Sequence, residues 1–198
     1  MKIFYCFGDS ITLGVNDAAS GGWVARLAAE AAQKGLPVPP ATFYNLGARK
    51  HSSRQILDRW EAEYQARALE GTQAHFLFCF GTVDMVAPSG RPLVPVGESA
   101  ANARDILLKA RELGKTVLVS PPPVKDDEHA QRLEALCTAY SAICSSIGVP
   151  FIDVFHPLKE AGYVDDLADG IHPGAAGNAM LARLLAEHGA LQDWFRDR

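Results

Sequence analysis

The chain of 198 residues predicts a three-layer α/β/α domain built on a parallel sheet of five strands. Short apolar runs alternate with amphipathic helical segments to the end of the chain, as they do in successive βαβ units. Several of the runs stop at a glycine or a proline, where a strand enters a turn. Because no repeat, linker or low-complexity segment divides the sequence, residues 1–198 are expected to form a single domain.

The five predicted strands are apolar runs at residues 3–7, 41–46, 75–80, 116–120 and 150–154. Five helical segments alternate with them and carry apolar residues at intervals of three or four, beginning near Trp23, Ile56, Ala103, Leu133 and Met180. Segments 85–97 and 155–168 are the least regular and are expected to be loops. Each follows a strand, and ligands of open α/β sheets bind at the carboxyl ends of strands. These segments are therefore predicted to form pocket walls.

Composition narrows the range of partners. Hydrophobic residues make up 48% and charged residues 21% of the chain, as in a soluble globular protein. The net charge is −4 and there is no basic run, so nucleic acid is not an expected partner. No apolar stretch is long enough to span a bilayer and no signal region opens the chain, which favours a cytoplasmic location. None of the four cysteines lies in a Cys-x-x-Cys pair, and all four are expected to be buried thiols.

Two short motifs carry the chemistry. Ser10 follows Gly8, where the first apolar run stops, so its hydroxyl is expected at the end of a strand. Asp169 and His172 lie three residues apart just before the last helical segment, so that one loop carries a base and a group that orients it. Serine, histidine and aspartate are the three groups of a nucleophilic hydrolase.

Other titratable residues have simpler interpretations. The remaining histidines show no metal-ligand spacing, so no metal is predicted. No glycine-rich phosphate-binding pattern occurs, which disfavours a nucleotide site. Asp9 and Asp84 are expected to brace backbone amides. Three carboxylates are the alternatives to Asp169, namely Asp153, Asp165 and Asp166.

With Asn45-Leu46-Gly47 and Gly81-Thr82-Val83-Asp84, these motifs resemble the ordered blocks of the SGNH, or GDSL, hydrolase family over almost the whole chain. The resemblance implies a five-stranded sheet of flavodoxin-like order and a Ser-His-Asp triad that forms an acyl-enzyme without a cofactor. Ser10 would be the nucleophile, His172 the base and Asp169 the group that orients it. The backbone N–H groups of Ser10 and Gly47 would form the oxyanion hole.

Val83 departs from the family pattern, which usually has an asparagine whose amide donates to the oxyanion. Valine cannot donate a hydrogen bond. Thr82, Arg49 or Asn16 could replace the donor if the backbone brings one of them near. The alternative function is a catalytically impaired ligand-binding protein with an incomplete oxyanion hole, and a weaker one is a flavodoxin-like module that binds phosphate or flavin.

The expected partner is a small-molecule ester or thioester with a small or medium acyl group. Arylesters, acetylated sugars, lysophospholipids and thioesters all remain open as substrates, because one scaffold serves many specificities. The oligomeric state is not predicted.

Overall fold

The structure is a computed structural model that describes residues 1–18 and 21–196. Its sheet contains β1 (Lys2–Gly8), β2 (Thr42–Gly47), β3 (Gln73–Cys79), β4 (Lys115–Val119) and β5 (Phe151–Ile152). The strands are parallel and lie in the order β2-β1-β3-β4-β5. The predicted fold class and strand order are therefore confirmed.

The helices in the described ranges are α1 (Ser10–Leu13), α2 (Gly22–Gln33), α3 (Ser53–Gln65), α4 (Val96–Leu113), α5 (Asp127–Ile147), α6 (Phe155–Glu160), α7 (Ala175–Glu187) and α8 (Gly189–Arg196). A 3₁₀ helix covers Tyr163–Asp166. In this part of the chain no helix is both long and apolar enough to cross a bilayer.

Alternating side chains of β1 enter two separate hydrophobic cores. Phe4 and Cys6 pack in the core that also contains buried residues of α2, α7 and α8. Tyr5 and Phe7 lie on the other face of the sheet, in the core shared with α3, α4 and α5. Since both faces of the strand are buried, its sequence is an unbroken apolar run rather than an alternating one.

One predicted loop is more regular than expected, and the other, segment 85–97, is shorter than predicted by two residues. Segment 155–168 contains α6 and the 3₁₀ helix, and α4 begins at Val96 instead of near Ala103. Pro157 lies in the first turn of α6, where a proline costs no helical hydrogen bond. Phe155 and Leu158 anchor this short helix because both are buried.

The fold sets the position of the end of β1. The strand β2 pairs with one edge of β1, and β3 pairs with the other edge. The connection after β1 and the connection after β2 therefore lead to opposite sides of β1. The carboxyl ends of all three strands meet there, with Gly8 aligned with Gly47 on β2 and with Cys79 on β3. A reversal of strand order of this kind leaves a crevice for a ligand. Ser10 follows β1 directly at this point.

Candidate active site

A tight turn presents Ser10 at the carboxyl edge of the sheet. Ser10 is the first residue of α1, and the Asp9 carboxylate caps this helix by accepting the Ile11 N–H at 2.9 Å. A Cβ on Gly8 would overlap the Thr12 side chain, so glycine is needed for α1 to fold back against the strand. Burial raises the pKa of Asp9 to about 7, which limits the negative charge behind the serine near neutral pH.

The structure brings the three predicted catalytic residues together. His172 Nε2 lies 2.7 Å from Ser10 Oγ, and His172 Nδ1 lies 2.7 Å from Asp169 Oδ2. Both distances are those of hydrogen bonds, so the three side chains form one continuous chain. This arrangement allows the imidazole to take the serine proton while the carboxylate stabilises the resulting charge.

The Asp169 carboxylate is organised by its own loop. Its Oδ1 accepts the backbone N–H groups of Ile171 at 3.0 Å and His172 at 2.8 Å. Partial burial raises the pKa of Asp169, but these backbone bonds and the His172 ring outweigh it and leave the pKa below its ordinary value. Asp169 therefore stays ionised near neutral pH.

Asn16 extends this network on the other side of the carboxylate. Its Nδ2 donates to Asp169 Oδ2 at 3.0 Å. Asn16 was one of three expected replacements for the missing oxyanion donor, and the structure instead commits its amide to Asp169. The reason is local: Asn16 adopts a φ of 70° in the turn after α1, and this left-handed conformation directs the side chain.

Gly47 lies where the strand register brings it, beside the end of β1, but its N–H is already used. The Gly47 N–H donates to the Asn45 side-chain oxygen at 3.0 Å. The family resemblance assigns this same N–H group to the oxyanion hole. A second constraint is steric, because a Cβ on Gly47 would lie 2.7 Å from both Leu13 Cα and the Thr12 carbonyl carbon. The position therefore allows α1 to approach β2 closely.

Arg59 ties the loop after β2 to the end of β1. From α3, its Nη2 donates to Gly8 O at 3.0 Å and to Leu46 O at 2.8 Å, while its Nε donates to His51 Nδ1 at 3.0 Å. The guanidinium thus holds both ends of segment 47–51. Within the segment Lys50 has a φ of 62°, the left-handed region that side chains rarely adopt.

Val83 lies half-buried on the turn after β3. The turn is fixed by its neighbours: His129 Nε2 donates to Thr82 O at 2.9 Å, and the Asp84 carboxylate accepts the Ser53 N–H at 2.9 Å and the Ser53 hydroxyl. The expectation that Asp9 and Asp84 brace backbone amides is therefore confirmed. Thr82 Oγ1 is buried and has no hydrogen-bond partner in the described ranges.

The alternative carboxylates lie elsewhere. Asp166 accepts the Gly177 N–H at 2.6 Å, and Asp165 is exposed on the 3₁₀ helix. Asp153 binds His156 Nδ1 at 2.6 Å. None of the three contacts His172.

Asp153 and His156 repeat the Asp-x-x-His spacing, and this spacing was a signal in the sequence from which no site was predicted. The repeat extends to geometry, since Asp153 Oδ1 accepts the Phe155 N–H at 2.9 Å while Oδ2 binds the imidazole. However, His156 Nε2 faces Glu134 Oε1 at 3.3 Å instead of a hydroxyl. This copy therefore lacks a nucleophile.

In residues 1–18 and 21–196, no group of three or more histidine, cysteine, aspartate or glutamate side chains is arranged to hold a metal ion. The four cysteines are buried and unbridged, as expected. Burial raises the pKa of the Cys137 and Cys144 thiols to about 12, which makes them poor nucleophiles.

Comparison with known proteins agrees with this geometry. The family model described as GDSL-like lipase/acylhydrolase matches residues 6–180 of the chain. No relative among curated proteins matches it.

Several solved structures share the fold over nearly the full length. A member of the lipolytic G-D-S-L family from Veillonella parvula has a TM-score of 0.78 and 20% identity, covering 96% of this chain and 98% of its own. A lipase/acylhydrolase from Enterococcus faecalis has a TM-score of 0.76 and 24% identity, covering 94% of both chains. An acetylxylan esterase from Geobacillus stearothermophilus has a TM-score of 0.75 and 20% identity, covering 100% of this chain and 94% of its own.

Proposed function

Since the chain belongs to the GDSL-like lipase/acylhydrolase family, we propose that it hydrolyses a small carboxylic ester or thioester through an acyl-enzyme on Ser10. The observation that carries the proposal is the unbroken hydrogen-bonded chain from Ser10 Oγ through His172 to Asp169. The similar acetylxylan esterase adds support. Its catalytic mutants replace a serine, an aspartate or a histidine, and the last two lie three positions apart, as Asp169 and His172 do.

In the first step His172 Nε2 takes the hydroxyl proton as Ser10 Oγ attacks the acyl carbonyl carbon. Asp169 holds the imidazole through Nδ1 and stabilises its charged form. Collapse of the tetrahedral intermediate breaks the ester or thioester bond, and His172 returns the proton to the leaving alcohol or thiol. Water, deprotonated by His172, then attacks the acyl group and releases the acid with the free Ser10 hydroxyl.

The developing oxyanion needs donors at the same edge of the sheet. We assign the first to the Ser10 N–H, because the first N–H groups of a helix have no acceptor within it. The Gly47 N–H donates to Asn45, so we assign the second to the following segment. In the described chain the N–H groups of Arg49 and Lys50 there have no hydrogen-bond partner. This proposal replaces the Gly47 donor inferred from the resemblance.

Val83 supports two interpretations of the substrate side. It removes one side-chain donor from the hole, which favours the rival function of an impaired ligand-binding protein. It also provides an apolar surface beside the nucleophile's strand, which suits a small acyl group. The likeness to an acetylxylan esterase is the reason to begin a substrate panel with acetyl esters, followed by longer acyl esters and thioesters.

The test is covalent labelling of the purified protein by a fluorophosphonate, together with hydrolysis of p-nitrophenyl acetate. Ser10→Ala should lose both labelling and turnover, while Ser141→Ala on the exposed side of α5 should keep both. Circular dichroism should show the same fold in all three proteins. Turnover that survives Ser10→Ala would refute the assignment of the nucleophile. Absence of labelling and turnover in the unmodified protein would favour the ligand-binding alternative.

A further inference from the structure

The turn that follows the proposed nucleophile reaches back to Asp169, the carboxylate proposed to orient His172. After α1, the N–H groups of Gly14 and Val15 donate to Ser10 O at 3.2 Å and 3.1 Å, which wraps the chain closely around the serine. Asn16 comes next, and its side-chain amide meets Asp169 Oδ2 at 3.0 Å. Ser10, His172, Asp169 and Asn16 therefore form a closed ring, joined by three hydrogen bonds and by the short segment 10–16.

Asn16 lies on a different segment of the chain from the other groups that hydrogen-bond to Asp169. The carboxylate accepts four hydrogen bonds, and three of them come from Ile171 and His172, on its own loop. In the described part of the chain, the Asn16 amide is the one donor from another segment. Because the Asp169 side chain is 46% exposed, packing alone does not fix its position relative to Ser10.

We propose that Asn16 is a positioning residue that holds the Asp169 carboxylate, and with it the His172 imidazole, in register with Ser10. This inference rests on the proposed function. Asn16 touches neither substrate nor the reacting atoms, and it acts through Asp169. The charge on the pair rises when His172 becomes an imidazolium, so a displaced carboxylate costs more in the transition state than in the ground state.

Several charged groups belong to the segments around this pair, and the nearest to Asn16 along the chain is Asp17, which pairs with Arg26. Lys125 lies on the far side of the loop, where its N–H donates to Gly170 O at 2.9 Å. Asp166 is turned towards the start of α7 and binds the Gly177 N–H. Asp9 lies buried behind Ser10. Because the Asn16 side chain lies 3.0 Å from Asp169 Oδ2, a charge introduced at position 16 would lie beside the Asp169 carboxylate.

Glycine is the informative substitution at this position. The φ of 70° is unstrained for glycine but unfavourable for a residue such as alanine. Asn16→Gly therefore keeps the turn and removes only the amide. Asn16→Asp also tolerates the left-handed conformation, but it replaces the donor with a second carboxylate. Ala18→Gly, two residues further along the connection from α1 to α2, serves as the matched control for loosened backbone.

The expected result for Asn16→Gly is a fall in kcat of about 3- to 10-fold on p-nitrophenyl acetate, the loss of one ordinary hydrogen bond. KM should stay within about twofold, since the ground state uses the interaction less. Fluorophosphonate labelling of Ser10 should slow in parallel. Asn16→Asp should move the acidic limb of the kcat/KM profile to higher pH, because the added carboxylate stabilises the imidazolium.

A spectroscopic readout separates this inference from the proposed function. The low-field proton resonance of His172 Nδ1–H, bound to Asp169, should weaken or shift in Asn16→Gly and remain unchanged in Ala18→Gly, whether or not any ester is turned over. An Asn16→Gly protein with wild-type kcat and an unchanged resonance would overturn the positioning role and leave only a turn former. An unmodified protein without esterase activity would overturn the proposed function alone.

Discussion

A side chain at position 47 has no room, because α1 and the end of β2 pack backbone against backbone there. The nearest atoms to a Cβ on residue 47 belong to Leu13 and Thr12, at 2.7 Å or less, whereas ordinary contacts begin at 3.4 Å. Both neighbours are main-chain atoms that cannot rotate away. Gly47→Ala must therefore separate α1 from β2 by at least about 0.7 Å. Ser10 begins this helix and will move with it.

The magnitude follows from that displacement. Misplacing a reacting group by about 1 Å costs on the order of 100-fold in rate, so kcat on p-nitrophenyl acetate should fall by about 10- to 100-fold. Overpacking of this kind costs about 1–3 kcal/mol of unfolding free energy. For a chain of this size, that corresponds to a decrease in Tm of about 2–12 °C. Steady-state kinetics and thermal unfolding measure the two effects separately.

Gly97→Ala is the matched control, since a Cβ there meets nothing within 4 Å and the residue lies in the first turn of α4. This variant should keep wild-type kcat and gain up to about 1 kcal/mol of stability, because alanine is the better helix former. If Gly47→Ala matches the wild type in both kcat and Tm, the close approach of α1 to β2 is wrong. So is the explanation that it gives for this glycine.

Two further predictions concern Val83 and His156. Val83→Asn should raise kcat about 10-fold, with a smaller change in KM. This gain is part of the ~2.7–4 kcal/mol that an oxyanion donor contributes in other enzymes. An unchanged or lower kcat on acetyl and longer acyl esters would contradict the prediction. The hydrogen bond that the His156 ring donates to Asp153, aided by Glu134, raises the pKa of His156. The resulting stability is therefore present below about pH 6.5 and is lost as pH rises above it. Urea unfolding should therefore show that His156→Gln is less stable than the wild type near pH 5.5 but not near pH 9. The loss of stability near pH 5.5 should be smaller in high salt. An equal loss at both pH values would count against the ion pair.

The sequence predicted those parts of the fold and site that depend on neighbouring residues. The apolar run before Gly8 specifies a buried strand and places Ser10 at its end. Asp169 and His172 meet because they are three residues apart in one loop. Both relations are local, so a pattern in the sequence is enough to indicate them.

The relations that the sequence did not predict depend on backbone direction or on distant segments. Asn16 and Asp169 are 153 residues apart, and their contact depends on a left-handed turn that no residue type enforces. The Gly47 N–H could equally have faced the crevice, but the neighbouring Asn45 side chain takes it. The short helix α6 was mistaken for a loop because a helix of six residues shows too little periodicity to be recognised.

The two Asp-x-x-His turns show that the same four-residue unit forms at two different places in the fold. In each, one oxygen of the aspartate accepts backbone N–H groups of its own turn and the other orients the imidazole. The group opposite Nε2 differs, since it is the Ser10 hydroxyl in one case and the Glu134 carboxylate in the other. Grafting this turn of four residues onto another scaffold would therefore provide a histidine that is already oriented. A hydroxyl would then have to be placed within hydrogen-bond distance of its Nε2.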